Sequence, residues 1–263
     1  MKEQSTEAVV LRSYEYNESD KLVRFATRDF GKVSGIAKGA KRSRRRFPNA
    51  LETFSHIRLL FRSNRKGGLA LILGCDLIES RARIGTDLSA LALASFFAEI
   101  VDLTLHEGQE TKRVFSLLDW ALRWLNLKGP SLQILPFFVL HWLKASGLEP
   151  ELHHCLKCKS QAAFDEPVFS VERGGVLCPS CSFDLKKAPR QNGQELFLPL
   201  RPGTMRGLAA LASARLEDFT RIELSRDQIR EGHNILKSFL RFYIGCEFKS
   251  VRFLDQTLSL QMP

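Results

Sequence analysis

Two close cysteine pairs, Cys155-Leu156-Lys157-Cys158 and Cys178-Pro179-Ser180-Cys181, constrain this chain more than any other feature. Two thiolates separated by two residues reach one small ion from a tight turn, and a second such pair completes the tetrahedral sulfur shell of structural zinc. The gap from Cys158 to Cys178 holds 19 residues, as in zinc ribbons. A pair of disulfides is the competing reading. The N-terminus, Met1-Lys2-Glu3-Gln4, lacks an apolar signal core, so a reducing cytosolic compartment is expected, and that favours metal. Four sulfurs leave no open position, so one structural zinc ion is expected. His153 and His154 precede the first pair and could replace a cysteine, but the set is already complete and they read as solvated loop histidines. Cys75 and Cys246 stand in apolar surroundings and read as small buried hydrophobes.

The net charge is +10, and most of it sits near the start. Residues 1–80 carry 16 Lys and Arg against 9 Asp and Glu, residues 81–150 carry 7 against 7, and residues 151–263 carry 16 against 13. Such asymmetry suggests a polyanionic partner, nucleic acid first and an acidic protein tail second. No stretch reaches the ~18 apolar residues of a membrane span.

The first 80 residues read as five short strands: Glu7 to Leu11, Lys21 to Thr27, Lys32 to Lys38, Phe54 to Arg62 and Leu69 to Ile78. Ile57, Leu59 and Phe61 alternate with His56, Arg58 and Arg62. Gly31 and Gly67-Gly68 mark turns. This pattern suits a small Greek-key barrel of the OB type, and an SH3-like barrel matches the strand count too. Helical periodicity begins near residue 85. One helix, capped by Asp87 or Ser89, runs to about His106 with Leu91, Phe96, Ile100 and Leu103 as its apolar stripe. A second spans about Glu110 to Leu127. A third, about Leu132 to Ala145, is apolar nearly all round and reads as buried, with Gly147 at its end. Helices resume at about Thr204 to Ala214 and after Ser225, where Ser225 and Gln228 match a capping box. The last helix is expected to pack on the residue 85–146 helices. The fold class is α+β: a barrel over 1–80, a helical domain in two parts over 81–150 and 191–263, and a zinc module over 151–190.

Between the third and fourth strands lies Lys38-Gly39-Ala40-Lys41-Arg42-Ser43-Arg44-Arg45-Arg46, with six cations in nine residues. No acid occurs between Asp29 and Glu52. A flexible basic loop beside a barrel can hold a phosphate backbone without reading its sequence. Lys38, Lys41, Arg42, Arg44, Arg45 and Arg46 are therefore the candidate nucleic-acid residues. Phe30, Phe47 and Phe54 could stack on bases, although aromatics at strand spacing more often belong to a core. Enzymatic motifs are missing: there is no phosphate-binding loop with a following lysine, no dinucleotide turn and no HExxH. Glu15, Glu18 and Asp20 could bind magnesium in a nuclease, but read better as a polar turn. His106 and His141, placed on helices near apolar faces, read as structural.

The run Val10 to Leu22, the segment Gly31 to Ser43, the cysteine quartet and the ending Leu236 to Leu254 together resemble the RecO family of bacterial recombination and repair mediators, over nearly the whole chain. The resemblance implies an OB barrel followed by a helical domain carrying the zinc module. It implies a non-enzymatic protein of the cytoplasm and nucleoid that binds single- and double-stranded DNA and anneals complementary strands. It also implies that the protein helps the RecA recombinase displace single-strand-binding protein, with RecR as partner, and docks the acidic C-terminal tail of single-strand-binding protein. Arg123 and Lys144 are candidate contacts for that tail. The alternative is a zinc-containing protein–protein adaptor whose basic loop grips an acidic partner.

Overall fold

The computed structural model describes residues 3–43, 45–64, 68–109, 112–161, 164–187 and 195–261. The chain divides into two compact units, one of residues 1–130 and 248–261 and the other of residues 131–247.

The first unit opens with a closed barrel of five strands, β1 (Glu3–Tyr16), β2 (Asp20–Thr27), β3 (Gly31–Ala37), β4 (His56–Arg62) and β5 (Ala70–Glu79), in the order β1-β2-β3-β5-β4. β4 returns antiparallel to β1, and the one parallel contact, β3 with β5, closes the ring. This is the OB-like arrangement expected. Alternation places Ala8, Val10, Val23, Phe25, Ile57, Leu59 and Phe61 in the barrel core. Phe25 and Phe61 are buried almost completely, and each such ring contributes about 1.5–3 kcal/mol. Closure requires glycine where strands crowd. At Gly35, paired with Ala70 across the parallel contact, a Cβ would lie 2.4 Å from the Ile72 side chain and 2.8 Å from the Ala70 carbonyl.

β1 is longer than its apolar part suggests, because it contains a bulge. The register with β2 shifts between Val10 and Arg12, so Leu11 is an extra residue. Beyond it the strand continues as a polar hairpin to Tyr16. The β2–β3 turn leans on the segment after the first helix. Gly31 has φ +71°, Lys32 donates its amide to the His106 carbonyl at 3.1 Å, and Gly108 donates to the Phe30 carbonyl at 3.0 Å. A Cβ on Gly31 would lie 2.1 Å from that His106 oxygen. Gly31→Ala combines left-handed strain with a backbone clash, and is expected to cost on the order of 3 kcal/mol. Thermal melting checks this: a drop of several degrees is expected, and an unchanged midpoint would contradict the packing.

Helices α1 (Leu88–Thr104), α2 (Lys112–Lys128) and α7 (Lys249–Gln261) complete this unit. Asp87 caps α1, accepting from the Ser89 and Ala90 amides. The expected single stripe on α1 is corrected: Ala90, Leu93, Phe96, Phe97, Ile100 and Val101 are buried around the helix, whereas Leu103 is exposed and Leu91 half-buried. The reason is that α1 packs against α2, α7 and the barrel together. Buried Glu99 caps α7 by accepting from the Lys249 and Ser250 amides at 2.9 and 2.7 Å. Buried Arg81 joins Glu79 and Asp119, and Asp119 also meets His56 at 3.1 Å. His106 follows the end of α1 and is exposed, so its expected helical position is corrected: its backbone carbonyl, not its ring, has the structural role.

The second unit contains α3 (Ile134–Ala145), α5 (Pro202–Ser213) and α6 (Arg226–Ile244), which pack on one another. α3 is buried on nearly every side, as its composition predicts, and Gly147 follows it at φ +74°. The Ser225–Gln228 capping box is formed. His141 stacks on Phe137 and contacts the Leu211 carbonyl at 3.1 Å, and burial lowers its pKa, so it is a satisfied structural histidine. The second unit also holds a three-stranded sheet of β6 (Val168–Ser170), β7 (Gly175–Leu177) and β8 (Phe197–Pro199), in the order β7-β6-β8, and the short helix α4 (Pro179–Lys187). Phe169 of β6 meets Phe239 of α6 edge-on at 5.6 Å.

Candidate nucleic-acid interface and metal centre

The basic connection is held at several points and is not the free loop its composition suggests. At its root the Asp20 carboxylate accepts the Gly39 amide at 2.8 Å and the Ser19 hydroxyl at 2.9 Å. Those bonds, with Lys38 nearby, hold Asp20 below its ordinary pKa. Lys41 donates its amide to the Ser19 carbonyl at 3.0 Å. Arg46 donates from its guanidinium to the Lys38 carbonyl at 2.7 Å, while the Arg46 carbonyl accepts the Cys75 amide at 2.9 Å. Phe47, Ala50 and Leu51 then plug the barrel core. Phe47 and Phe54 are buried and Phe30 packs on the core against Phe61, so the suggested stacking surfaces are core instead. The physical reason is that the connection needs apolar anchors at its far end.

The cations on this frame face outward. Lys38, Lys41, Arg42, Arg45 and Arg46 are exposed, and Arg44 lies outside the described residues. Lys41 pairs with Glu15 at 3.0 Å, a carboxylate that the fold brings across although none is near in sequence. Among the described residues, no carboxylate lies within ion-pairing distance of Lys38, Arg42, Arg45 or Arg46. A depression of about 730 Å³ beside them is lined by Lys21, Lys41, Arg42 and Asn49. Glu15 and Asp20 are committed to the connection, so the acidic group is a polar turn. Asp20→Ala should loosen the root without removing a cation, and tryptic cleavage at Lys41 and Arg42 should accelerate several-fold. The sign follows from the depressed pKa: this anchoring is present above the ordinary carboxylate range and is lost as pH falls through the lowered folded value. Unchanged cleavage would show that the root is held elsewhere.

Sequence reasoning missed Tyr14 and Tyr16, which are 43% and 44% exposed at the end of β1, on either side of the Glu15 that reaches Lys41. The signal was the alternation Arg12-Ser13-Tyr14-Glu15-Tyr16, hidden because the bulge at Leu11 resets which side of the strand these residues occupy.

The four cysteines converge in the second unit. Cys155 to Cys158 form a tight turn, closed by Lys159 donating its amide to the Cys155 carbonyl at 2.9 Å. Cys178 immediately precedes α4, and Cys181 lies in its first turn. All four sulfurs lie within 4.8 Å of one another, with Cys158 and Cys178 3.9 Å apart. A tetrahedron with Zn–S bonds of about 2.3 Å has edges of about 3.8 Å, so this donor set fits zinc. Leu177, Leu156, Phe164, Leu185 and Phe197 pack around it, and the Cys178 amide points at the Cys155 sulfur at 3.4 Å. Hydrogen bonds from Ser160 pull the Cys158 thiol down to about 6. His153 and His154 are exposed outside the cluster, and their amides donate to Glu151. Buried Cys75, its pKa pushed up to about 12 by burial, is an inert core thiol, whereas Cys246 is only half-buried. Arg123 lies 3.6 Å from Glu79 and Lys144 3.1 Å from Glu149.

The family profile for the N-terminal part of recombination protein O matches residues 1–81, and that for its C-terminal part matches residues 85–252. The chain belongs to the RecO family. Among its relatives, the DNA repair protein RecO of Syntrophus aciditrophicus is 34% identical over 95% of both chains. That of Desulfatibacillum aliphaticivorans is also 34% identical over 95% of both. That of Syntrophobacter fumaroxidans is 32% identical over 98% of this chain and all of its own. Among the described residues of this RecO family member, no helix is long and apolar enough to cross a membrane.

Proposed function

We propose that this RecO family member is a non-enzymatic DNA-binding mediator of recombinational repair. The observation that carries the reading is the outward set Lys38, Arg42, Arg45 and Arg46, fixed on the barrel and with no carboxylate in ion-pairing distance among the described residues. Arginine holds phosphate bidentately, and its charge releases condensed counterions from a nucleic-acid backbone. Phosphate contacts position a strand without specifying its sequence, so single- and double-stranded DNA are both ligands. One protein neutralising two strands lowers their repulsion, and annealing of complementary strands follows. Family membership and the relatives' printed name, DNA repair protein, support placing this chemistry in repair. The finer roles are part of the same reading: RecR as partner, capture of the acidic tail of single-strand-binding protein, and loading of RecA onto gaps in the nucleoid. Cys155, Cys158, Cys178 and Cys181 would hold one zinc ion, which supplies cross-linking and no reaction step.

The test is annealing of complementary strands coated with single-strand-binding protein. The intact chain should accelerate it, and a chain with Lys38, Lys41, Arg42, Arg44, Arg45 and Arg46 replaced by Ala should not. Equal acceleration by both would refute the reading. Binding of an acidic partner without any binding of DNA would favour the adaptor.

A further inference from the structure

Beside the basic connection, on the same unit, lies a second groove of about 410 Å³. Its walls are β1 at Arg12 and Tyr14, the turn at Thr53, the inner part of α1 and the start of α7 at Lys249. A like-charge pair and an exposed lysine meet there. Arg12 stands directly opposite Arg24 across the β1–β2 ladder, a like-charge pair that costs stability. Both guanidiniums reach the same oxygen of buried Asp102 at 3.0 Å, and Arg12 also lies 3.8 Å from buried Glu99 and donates to the Tyr14 hydroxyl at 3.4 Å, so two buried carboxylates orient the two cations. Both side chains stay partly open, 34% and 42% exposed. Separately, α7 begins with Lys249 and has Arg252 in its first turn with no acid of its own there, and buried Glu99 supplies the negative charge that the helix dipole favours. Its first amides are already taken by Glu99. Lys249 is exposed, with no carboxylate in ion-pairing distance among the described residues. Ser13, which also lines the groove, has a buried hydroxyl without a partner.

Among the described residues three cations, Arg12, Arg24 and Lys249, stand here with two carboxylates, Glu99 and Asp102, and the exposed Lys249 is left for an anion supplied from outside. The exposed Tyr14 ring on the same wall adds a flat apolar surface, and a stacking platform beside cations is the chemistry of a single-stranded nucleic acid. The chain itself links the groove to the depression at the basic connection: Leu51 and Glu52 line that depression, and the next residues, Thr53 and Phe54, line this groove.

We propose that this groove receives the next nucleotides of a single strand leaving the basic connection. Phosphate lies against Arg12 and Lys249, and a base lies on Tyr14. The proposal rests on the loop-binding reading above. It extends the bound length and makes Asp102 a positioning residue for Arg12.

The test is fluorescence anisotropy with labelled oligothymidylates of about 6 to about 30 nucleotides, a range bracketing the footprint of one barrel. The double variant Tyr14→Ala, Lys249→Ala changes two exposed residues. It should weaken binding of long strands roughly tenfold and leave the shortest unchanged. Its long-strand salt slope should fall by about 0.7 for the lost phosphate contact. Tyr14→Phe should keep the length dependence. Unchanged affinity at every length, or an equal proportional loss at every length, would overturn the proposal. Loss of acidic-peptide binding, with DNA untouched at all lengths, would assign the groove to a protein partner instead. The variant Arg42→Ala, Arg45→Ala reads the parent claim separately: normal binding of the shortest strands by that variant would remove the loop reading, while the length-dependent arm still reports on the groove.

Discussion

Replacing Arg42, Arg45 and Arg46 together with Lys41 by Ala should weaken single-stranded DNA binding nearly a thousandfold at about 0.1 M salt. Each phosphate contact to a single strand adds about 0.7 to the log–log salt slope. Four lost contacts are therefore worth roughly 2.8 decades relative to about 1 M salt. The loss should be the same for every sequence, because phosphate contacts position without specifying. The fold should survive. Arg42, Arg45 and Arg46 are exposed, the Lys41 side chain is half-buried against Glu15, and the apolar anchors Phe47, Ala50 and Leu51 stay in the core. One secondary effect is built in: Arg46 donates to the Lys38 carbonyl, so its removal also loosens the frame. Arg46→Lys separates charge from frame, since lysine keeps the charge but lacks the planar fork. Binding assays across mixed-sequence oligonucleotides check the prediction. A loss confined to one sequence would contradict it.

The second large effect concerns the cysteines. Structural zinc in small modules contributes apparent binding free energies of about 10–16 kcal/mol, comparable with the whole stability of a domain. Cys155→Ser with Cys178→Ser should therefore abolish metal binding, measured as about one zinc per chain in the unmodified protein. It should also strip hydrogen-exchange protection from β6, β7 and α4. Without the ion, the cluster has only Leu177 and a few half-buried neighbours to hold it. The barrel contains none of these cysteines, so DNA binding by the first unit should persist. Equal exchange protection in the metal-free variant would show that the apolar neighbours suffice and that the ion is incidental.

Much of this architecture was legible in the sequence because its signals are local. Alternation in Ile57, Leu59 and Phe61, the 3.6-residue periodicity of the helices, the Ser225–Gln228 cap and the cysteine spacing each depend on a few neighbouring residues. What escaped depends on partners far apart in the chain. The apolar circumference of α1 reflects three packing partners, including α7, which begins 150 residues after Glu99 and is capped by it. Glu15 reaches Lys41 only through the hairpin. The outward turn of Arg12, Tyr14 and Tyr16 follows from one inserted residue at Leu11, which no period-two reading reveals. The cationic residues themselves were readable from composition. Their rigid mounting on Asp20, the Lys38 carbonyl and the Phe47 plug was not, because main-chain hydrogen bonds leave no mark on composition.

The salt dependence of single-stranded DNA binding tests the electrostatic claim most directly. With about five phosphates held by the basic connection, the observed association constant should fall along a log–log line of slope near about −3.5. With Lys41, Arg42, Arg45 and Arg46 replaced by Ala, that slope should flatten to about −0.7 on strands too short to reach the groove. An affinity that stays constant as salt rises, or a slope that is identical with and without those cations, would mean that DNA is bound elsewhere or not through its backbone.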